Sequence, residues 1–318
     1  MLPSKTYFIT GGAGFIANAL IRRLVPEHQI VVYDNFHRDT LSASDLNDHP
    51  NIRVVKGDVL DADTLTQAMQ GADAVIHTAA IAGIDAVIKN PVTTMRVNML
   101  GTANVLKAAH INEVSDRVLD FSTSEVFGPM AFRSSEDDET VAGSAGEARW
   151  SYAVSKLAGE HLAKAYHKQY GLSIVTVRPF NVYGPGQTGE SAMQGFIRQA
   201  LNNETLFIHG DGNQIRAWCY VDDFVECLLR CLESPKAIGE SFNVGNARAV
   251  ITILGLANAI CRVLGSSSTI EHVDALSADI AIRIPGVEKA EALLGFKASV
   301  DLDEGILRTA EWFRKRTP

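Results

Sequence analysis

Short apolar runs recur through the first 180 residues, at Tyr7–Thr10, Ile30–Tyr33, Ile52–Lys56, Ala74–His77, Arg117–Ser122 and Ser173–Arg178. Several are apolar at nearly every position instead of every second one, the pattern of parallel strands covered on both faces. Helical periodicity fills the intervals. Ile16, Leu20 and Leu24 recur every four residues, and longer patterns span Met95–Ala109 and Tyr152–Tyr170. Strand alternating with helix predicts an α/β fold built on a doubly wound parallel sheet. After about Pro179 the rhythm loosens. Loop signals crowd at Gly184-Pro185-Gly186 and Gly210-Asp211-Gly212, and helices are expected at Ala192–Leu201, Asp223–Leu232, Ile253–Leu264 and Leu302–Arg314. The expected organisation is a sheet domain over residues 1–180 and a smaller mixed α/β C-terminal substrate lobe over 181–318. The lobe is interleaved with the first domain and closes a cleft against it. The acidic stretch Ser134–Glu147 has few large apolar residues and is expected to be a surface excursion.

The chain has 318 residues, 46% of them apolar and 21% charged, enough for a large core. Lys plus Arg number 29 against 37 Asp plus Glu, a net charge of −8, so there is no cation excess to neutralise nucleic-acid or lipid phosphates. No apolar run approaches the roughly 20 residues of a membrane helix, and the opening MLPSKTYFIT lacks the apolar core of a secretory signal. Neither a nucleic-acid nor a membrane partner is therefore expected, and the location is expected to be cytoplasmic. Cys227 and Cys231 lie four apart on an expected helix, but no further ligand follows at metal spacing. They, with Cys219 and Cys261, read as packing residues of a reducing compartment, and no metal is expected.

Thr10-Gly11-Gly12-Ala13-Gly14-Phe15-Ile16-Ala17 follows the first strand and opens the first helix. A phosphate needs backbone N–H groups aimed at it, and residues without Cβ let the backbone come close. Gly11 and Gly14 supply that approach, while the helix N-terminus supplies partial positive charge. No Gly-Lys-Ser/Thr follows, which excludes an NTPase phosphate loop. Asp34 ends the second strand, where a carboxylate accepts hydrogen bonds from a ribose diol and repels a 2′-phosphate. NAD is therefore favoured over NADP, a preference that Arg38 slightly weakens. Asp58 has two readings of equal weight, a contact to the adenine edge or an N-cap for the helix beginning near Asp61.

Tyr152-Ala-Val-Ser-Lys156 places a phenol and an ammonium on one face of a helix. The ammonium is expected to lower the Tyr152 pKa so that it can take a proton from a sugar hydroxyl as hydride leaves the carbon. With these residues the sequence resembles the extended short-chain dehydrogenase/reductase family, in its group of nucleotide-sugar epimerases, dehydratases and decarboxylases. The resemblance runs through TGGAGFIA, Asp34-Asn35, Gly57-Asp58-Val59, His77-Thr78-Ala79-Ala80, Asn98-Met-Leu-Gly-Thr-Ala-Asn104 and Ser122-Thr-Ser-Glu-Val-Phe-Gly128. It continues at Tyr152/Lys156, Arg178-Pro-Phe-Asn-Val-Tyr-Gly-Pro185 and Arg216-Ala-Trp-Cys-Tyr-Val-Asp-Asp223. It implies a Rossmann-like fold, NAD held by Gly11, Gly14, Phe15, Ile16, Asp34, Asn35, Asp58, Val59, Ala79, Asn98, Tyr152 and Lys156, and a nucleotide-diphosphate sugar as substrate. It also implies that Thr123 hydrogen-bonds the reacting C4 oxygen beside Tyr152, and that Asn181 approaches the diphosphate. Arg216 and Arg283 would hold phosphates, Arg283 alternatively a substrate carboxylate. Helices near Val92–Ala109 and Tyr152–Tyr170 imply a homodimer.

The shared chemistry is transient oxidation at C4 to a 4-keto sugar, and residues 124 and 125 decide the second step. Ser124 stands where one dehydratase branch has an acidic Asp, which tells against that branch. Thr-Ser-Glu matches decarboxylases and another dehydratase branch, so decarboxylation or 4,6-dehydration with Glu125 taking part is the leading expectation. The alternatives are a 4-epimerase and a non-catalytic NAD-binding sensor. Phe127 replaces a usual Tyr, and Gly186 stands where some decarboxylases carry an arginine. Arg149-Trp150 is unusual. Trp150 either stacks on a base or sugar or pads the lobe interface.

Overall fold

The structure, a computed structural model, describes residues 4–189, 191–275 and 279–316. Five strands of the N-terminal half are β1 (Thr6–Thr10), β2 (Gln29–Asp34), β3 (Ile52–Lys56), β4 (Ala74–His77) and β5 (Arg117–Phe121). With strands Ile174–Pro179 and Ser241–Val244 they form one seven-stranded parallel sheet. Its order from one edge is Ser241–Val244, Ile174–Pro179, β5, β4, β1, β2, β3. Alternate residues feed two cores. Ile9, Ile76, Leu119, Val177 and Phe242 face one layer of helices, while Phe8, Val31, Val75, Val118 and Ile174 face the other. Each fully buried side chain of this size contributes roughly 1.5–3 kcal/mol, which is why these strands read as continuous apolar runs.

The expected helices Ala192–Leu201, Ile253–Leu264 and Leu302–Arg314 are present with those bounds. Ser191 and Thr252 cap the first two by accepting from Gln194 N and Gly255 N. The pattern at Met95–Ala109 belongs to a longer rod. It starts with Pro91 at the first helical position and passes through a π-helical turn at Arg96–Leu100 into Gly101–Ile111. Such turns often mark functional positions, and this one carries the buried Asn98.

The acidic stretch is more tethered than a surface excursion. Met130–Ser134 is a strand of a second sheet, ordered Val250–Thr252, Ile215–Ala217, Ile282–Pro285, Met130–Ser134. Beyond it, the Glu136 carboxylate accepts from Asn243 N at 2.7 Å, and its carbonyl accepts from Arg178 Nη1 at 3.2 Å. The two halves of the chain thus exchange strands: Met130–Ser134 joins the C-terminal sheet and Ser241–Val244 completes the N-terminal one. Cys219, Cys227 and Cys231 are buried, and burial pushes the Cys219 and Cys227 thiols up. Among the described residues no helix is long and apolar enough to cross a membrane.

Candidate functional site

Strand order reverses between β1 and β4, and the crevice at the C-terminal ends of those strands is where such sheets bind dinucleotides. Gly11 lies there at φ +68°, and a Cβ on it would come within 2.6 Å of Ala79 N. Only glycine lets this loop lie against the loop after β4. Gly14 then caps helix α1 (Phe15–Leu24) without a side-chain acceptor, so no side chain competes for the first-turn amides at Phe15 and Ile16. Asp34 braces the loop: one oxygen accepts from Ala13 N at 3.0 Å and the other from Phe36 N at 2.6 Å. Burial raises its pKa, against those two amides. These features fit a dinucleotide: a glycine cradle that a Cβ would fill, an uncapped helix head, and a carboxylate at the end of β2.

The N-cap reading of Asp58 is corrected. Asp61 caps helix Ala62–Ala68 by accepting from Thr64 N. Asp58 accepts from Leu60 N at 2.9 Å and from Asn35 Nδ2 at 3.3 Å, which places Asn35 and Asp58 together at the ends of β2 and β3. Val59 is buried beside Gly101, where a Cβ would meet it at 2.6 Å. Asn98 spends its amide on the protein: Oδ1 accepts from Ile81 N at 2.8 Å, and Nδ2 donates to Ile81 O and to Ser155 Oγ at 3.0 and 3.1 Å. It therefore ties the loop after β4 to the helix that carries Tyr152. His77 is buried between Thr10 Oγ1 at 2.7 Å and Thr102 Oγ1 at 2.9 Å. Thr102 already donates to Asn98 O, so it accepts from Nε2–H and His77 Nδ1 accepts from Thr10. Burial, then Lys156, pushes the imidazole down to about 3, so it stays neutral.

Helix Trp150–Tyr170 carries Tyr152 and Lys156. The expectation of a lowered phenol pKa is corrected here. Burial and the nearby Glu125 push Tyr152 up to about 12, while a hydrogen bond with Thr123 and the fields of Arg283 and Arg38 draw it down. Lys156 is itself buried, which lowers its pKa, and the carboxylates that oppose this are Asp120 and Glu160. Arg38, which the sequence places only in relation to NADP, also has a structural tie. Its Nη2 donates to Ala82 O at 2.8 Å, and its guanidinium lies beside Gly83 and Gly189, so it bridges from the loop after β2.

The second sheet brings arginines to the same place. Arg216 and Arg283 sit in register on adjacent parallel strands. Arg283 Nη2 lies 3.1 Å from Glu125 Oε1, in the 3-10 turn Ser124–Phe127 that Thr123 caps. Arg216 donates to Asp279 Oδ1 at 3.2 Å. Burial, then Arg283, pulls Arg216 down to about 10, with Arg149 adding to the effect. Asn181, at φ +41°, donates to Ala217 O at 2.9 Å and so fixes the strand beside Arg216. Arg149, to which the sequence assigns no role, is 4% exposed. Its Nε and Nη1 have no acceptor among the described residues. Trp150 is padding: it is buried against Ala153 and Ile280, and Gly143 is pressed to its ring. The structure thus gathers Thr123, Glu125, Tyr152, Arg149, Arg216 and Arg283, while Asp34, Asn35 and Asp58 lie at the ends of β2 and β3.

The chain is similar to known proteins along nearly its whole length. The family model described as the NAD dependent epimerase/dehydratase family matches residues 7–245. A UDP-N-acetyl-alpha-D-glucosaminuronate decarboxylase of Bacillus cytotoxicus is 34% identical, over 98% of each chain. A dTDP-glucose 4,6-dehydratase of Streptomyces niveus is 31% identical over 96% of this chain and 92% of its own. Among solved structures, the UDP-glucuronic acid 4-epimerase of Bacillus cereus, in complex with UDP-glucuronic acid and NAD, superposes with a TM-score of 0.89. It is 28% identical, over 98% of this chain and 100% of that one.

Proposed function

The chain belongs to the NAD-dependent epimerase/dehydratase family, and we propose that within it this protein decarboxylates a nucleotide-diphosphate uronate. One observation carries the reading. Two buried arginines, Arg149 and Arg216, and the partly buried Arg283 face two carboxylates, Glu125 and Asp279, and the Arg149 guanidinium keeps two nitrogens without an acceptor among the described residues. Buried guanidinium groups demand acceptors, and a bidentate carboxylate suits them. A neutral hexose offers only single hydroxyl oxygens there, whereas a uronate offers its anionic, bidentate C6 carboxylate.

Bound NAD supplies a hydride acceptor for C4 and can return the hydride. Gly11, the head of α1, Asp34 and Lys156 would hold it. Tyr152, hydrogen-bonded with Thr123, would take the C4 hydroxyl proton as a phenolate and return it as a phenol. With burial and Glu125 pushing its pKa up to about 12, that role requires the positive charge that bound NAD would supply to bring the pKa down. A ketone at C4 makes the uronate a β-keto acid. The C5–C6 electron pair then moves into the ring as a C4 enolate, carbon dioxide leaves, and C5 takes up a proton. The arginines orient the carboxylate, and Glu125 within their group limits how tightly it is held, so that loss of its charge is not strongly opposed.

Incubation with UDP-glucuronate, UDP-N-acetylglucosaminuronate, UDP-glucose and dTDP-glucose, followed by mass spectrometry, tests the reading. Loss of carbon dioxide from a uronate is expected. Loss of water from a neutral sugar refutes it. An unchanged mass with a new isomer would favour uronate 4-epimerisation, the second reading, which the likeness to the B. cereus epimerase supports. The rod Pro91–Ile111 and helix Trp150–Tyr170 leave Val92, Leu100, Ile111 and Tyr170 exposed, 71% for Val92. We propose that these faces pair in a homodimer, which Val92→Glu would dissociate in sedimentation velocity. Four free cysteines fit a reducing, cytoplasmic compartment.

A further inference from the structure

A line of polar residues crosses the central sheet. Thr10, His77, Asp120, Thr176 and Ser241 stand in register on five adjacent parallel strands, none more than 2% exposed. Neighbours in register share a face. Val75, Val118 and Ile174, two residues before His77, Asp120 and Thr176, pack in one cluster with Ala163 of helix Trp150–Tyr170. The polar line therefore lies under the helix that carries Tyr152 and Lys156. Thr10 and His77 bond each other, His77 bonds Thr102, and Ser241 donates to Glu160 at 2.8 Å.

Asp120 is different. It is a carboxylate in a strand otherwise built for packing, the Phe121 amide donates to it, and its Oδ1 has no donor among the described residues. The charged groups around it are Lys156 and Glu160 from the helix and, through Glu160, Arg178 from the adjoining strand. On β4, His77 is neutral. Arg178 grips Glu160 with Nε at 3.1 Å and Nη2 at 2.8 Å, so that pair closes on itself. The remaining Arg178 Nη1 goes to the Glu136 carbonyl, while the Glu136 carboxylate is taken by Asn243 N. Of these buried charges, one cation, Lys156, and one anion, Asp120, are left to balance each other.

We propose that Asp120 is the counter-ion of Lys156, a positioning residue that keeps the buried ammonium charged beneath the crevice. The proposal rests on the reading of Tyr152 and Lys156 as the reacting pair, but not on the identity of the sugar. Without Asp120, burial would strip Lys156 of its proton at lower pH. With it, protonation of Asp120 near pH 6 withdraws the counter-charge.

Two measurements on the full-length, NAD-loaded protein test it. The first is the pH profile of kcat with UDP-glucuronate for wild type, Asp120→Asn and Asp120→Leu. In both variants the alkaline limb should move down by about one pH unit or more, with KM changed less than about twofold. Profiles that superpose on the wild type, at equal or uniformly lower kcat, overturn the proposal, because a merely structural residue would change the amplitude alone. The second is a thermal double-mutant cycle of Asp120→Asn with Lys156→Met, which needs no substrate. Asp120→Asn should be better tolerated when Lys156 is already methionine, and strictly additive shifts overturn the pairing. If UDP-glucuronate is not turned over by any form, the uronate reading fails and the cycle alone decides on Asp120.

Discussion

Replacing Arg149 with methionine should make the protein more stable and a worse enzyme at once. Arg149 is buried with Nε and Nη1 unbonded among the described residues, and Arg216 and Arg283 lie nearby. Each unsatisfied buried donor costs about 1–3 kcal/mol, and crowding by like charge adds to that. Methionine fills much of the same volume without donors. Allowing for lost packing of the side-chain stem, ligand-free Arg149→Met should gain about 1–3 kcal/mol, a rise of about 2–4 °C in Tm for a chain of this size. For a uronate substrate, the same change removes a charge-assisted hydrogen bond worth about 1.5–3 kcal/mol, so kcat/KM should fall roughly 10- to 150-fold. Binding of UDP-glucose, which has no C6 carboxylate, should be untouched. Scanning calorimetry, UDP-glucuronate kinetics and UDP-glucose titration calorimetry give the three numbers. A lower Tm together with unchanged uronate kinetics would refute the reasoning, because Arg149 would then have a partner in the protein and none in the substrate.

Other outcomes rest on the same geometry. Tyr152→Phe should lower kcat by about 10²- to 10⁴-fold while substrate affinity by calorimetry is retained; normal turnover would remove the phenol from the chemistry. Gly11→Ala puts a Cβ 2.6 Å from Ala79 N, so the purified variant should lose bound NAD, read as free nucleotide after gel filtration, while still folding by circular dichroism. Asp120 titrates near pH 6 in the folded protein against 3.8 for a free carboxyl. Its stabilising contribution is therefore full below pH 3.8 and is lost as pH rises through 6, at most about 3 kcal/mol. The Tm of Asp120→Asn relative to wild type should accordingly climb between pH 4 and pH 6.5, and a flat difference would count against the raised pKa.

Much of the fold and of the site is legible in the chain, for identifiable reasons. Ala74–His77 announces itself through a short apolar run buried at every position, and Ile253–Leu264 through its period and the Thr252 cap. The strand Met130–Ser134 is hidden because Met130 and Phe132 point to solvent and its partner Ile282–Pro285 lies about 150 residues later. Tyr152 and Lys156 can be paired from their spacing, yet the direction of the phenol's shift depends on burial and on Glu125, which spacing does not encode. Asp120 does leave a signal, a carboxylate inside a strand that packs on both faces, but the register that lines it up with His77 and Thr176 exists only once the sheet has formed.

The crossing of Met130–Ser134 and Ser241–Val244 between the two sheets also sets limits on how such proteins can be recombined. A cut near residue 180 would leave Ile174–Pro179 as a bare hydrophobic edge on one fragment and strip the other of the strand beside Arg283. A chimera meant to import a relative's sugar specificity therefore has to carry over Met130–Ser134 together with the C-terminal lobe while keeping Ser241–Val244 matched to Ile174–Pro179, and one that swaps only the tail should precipitate instead of acquiring a new substrate.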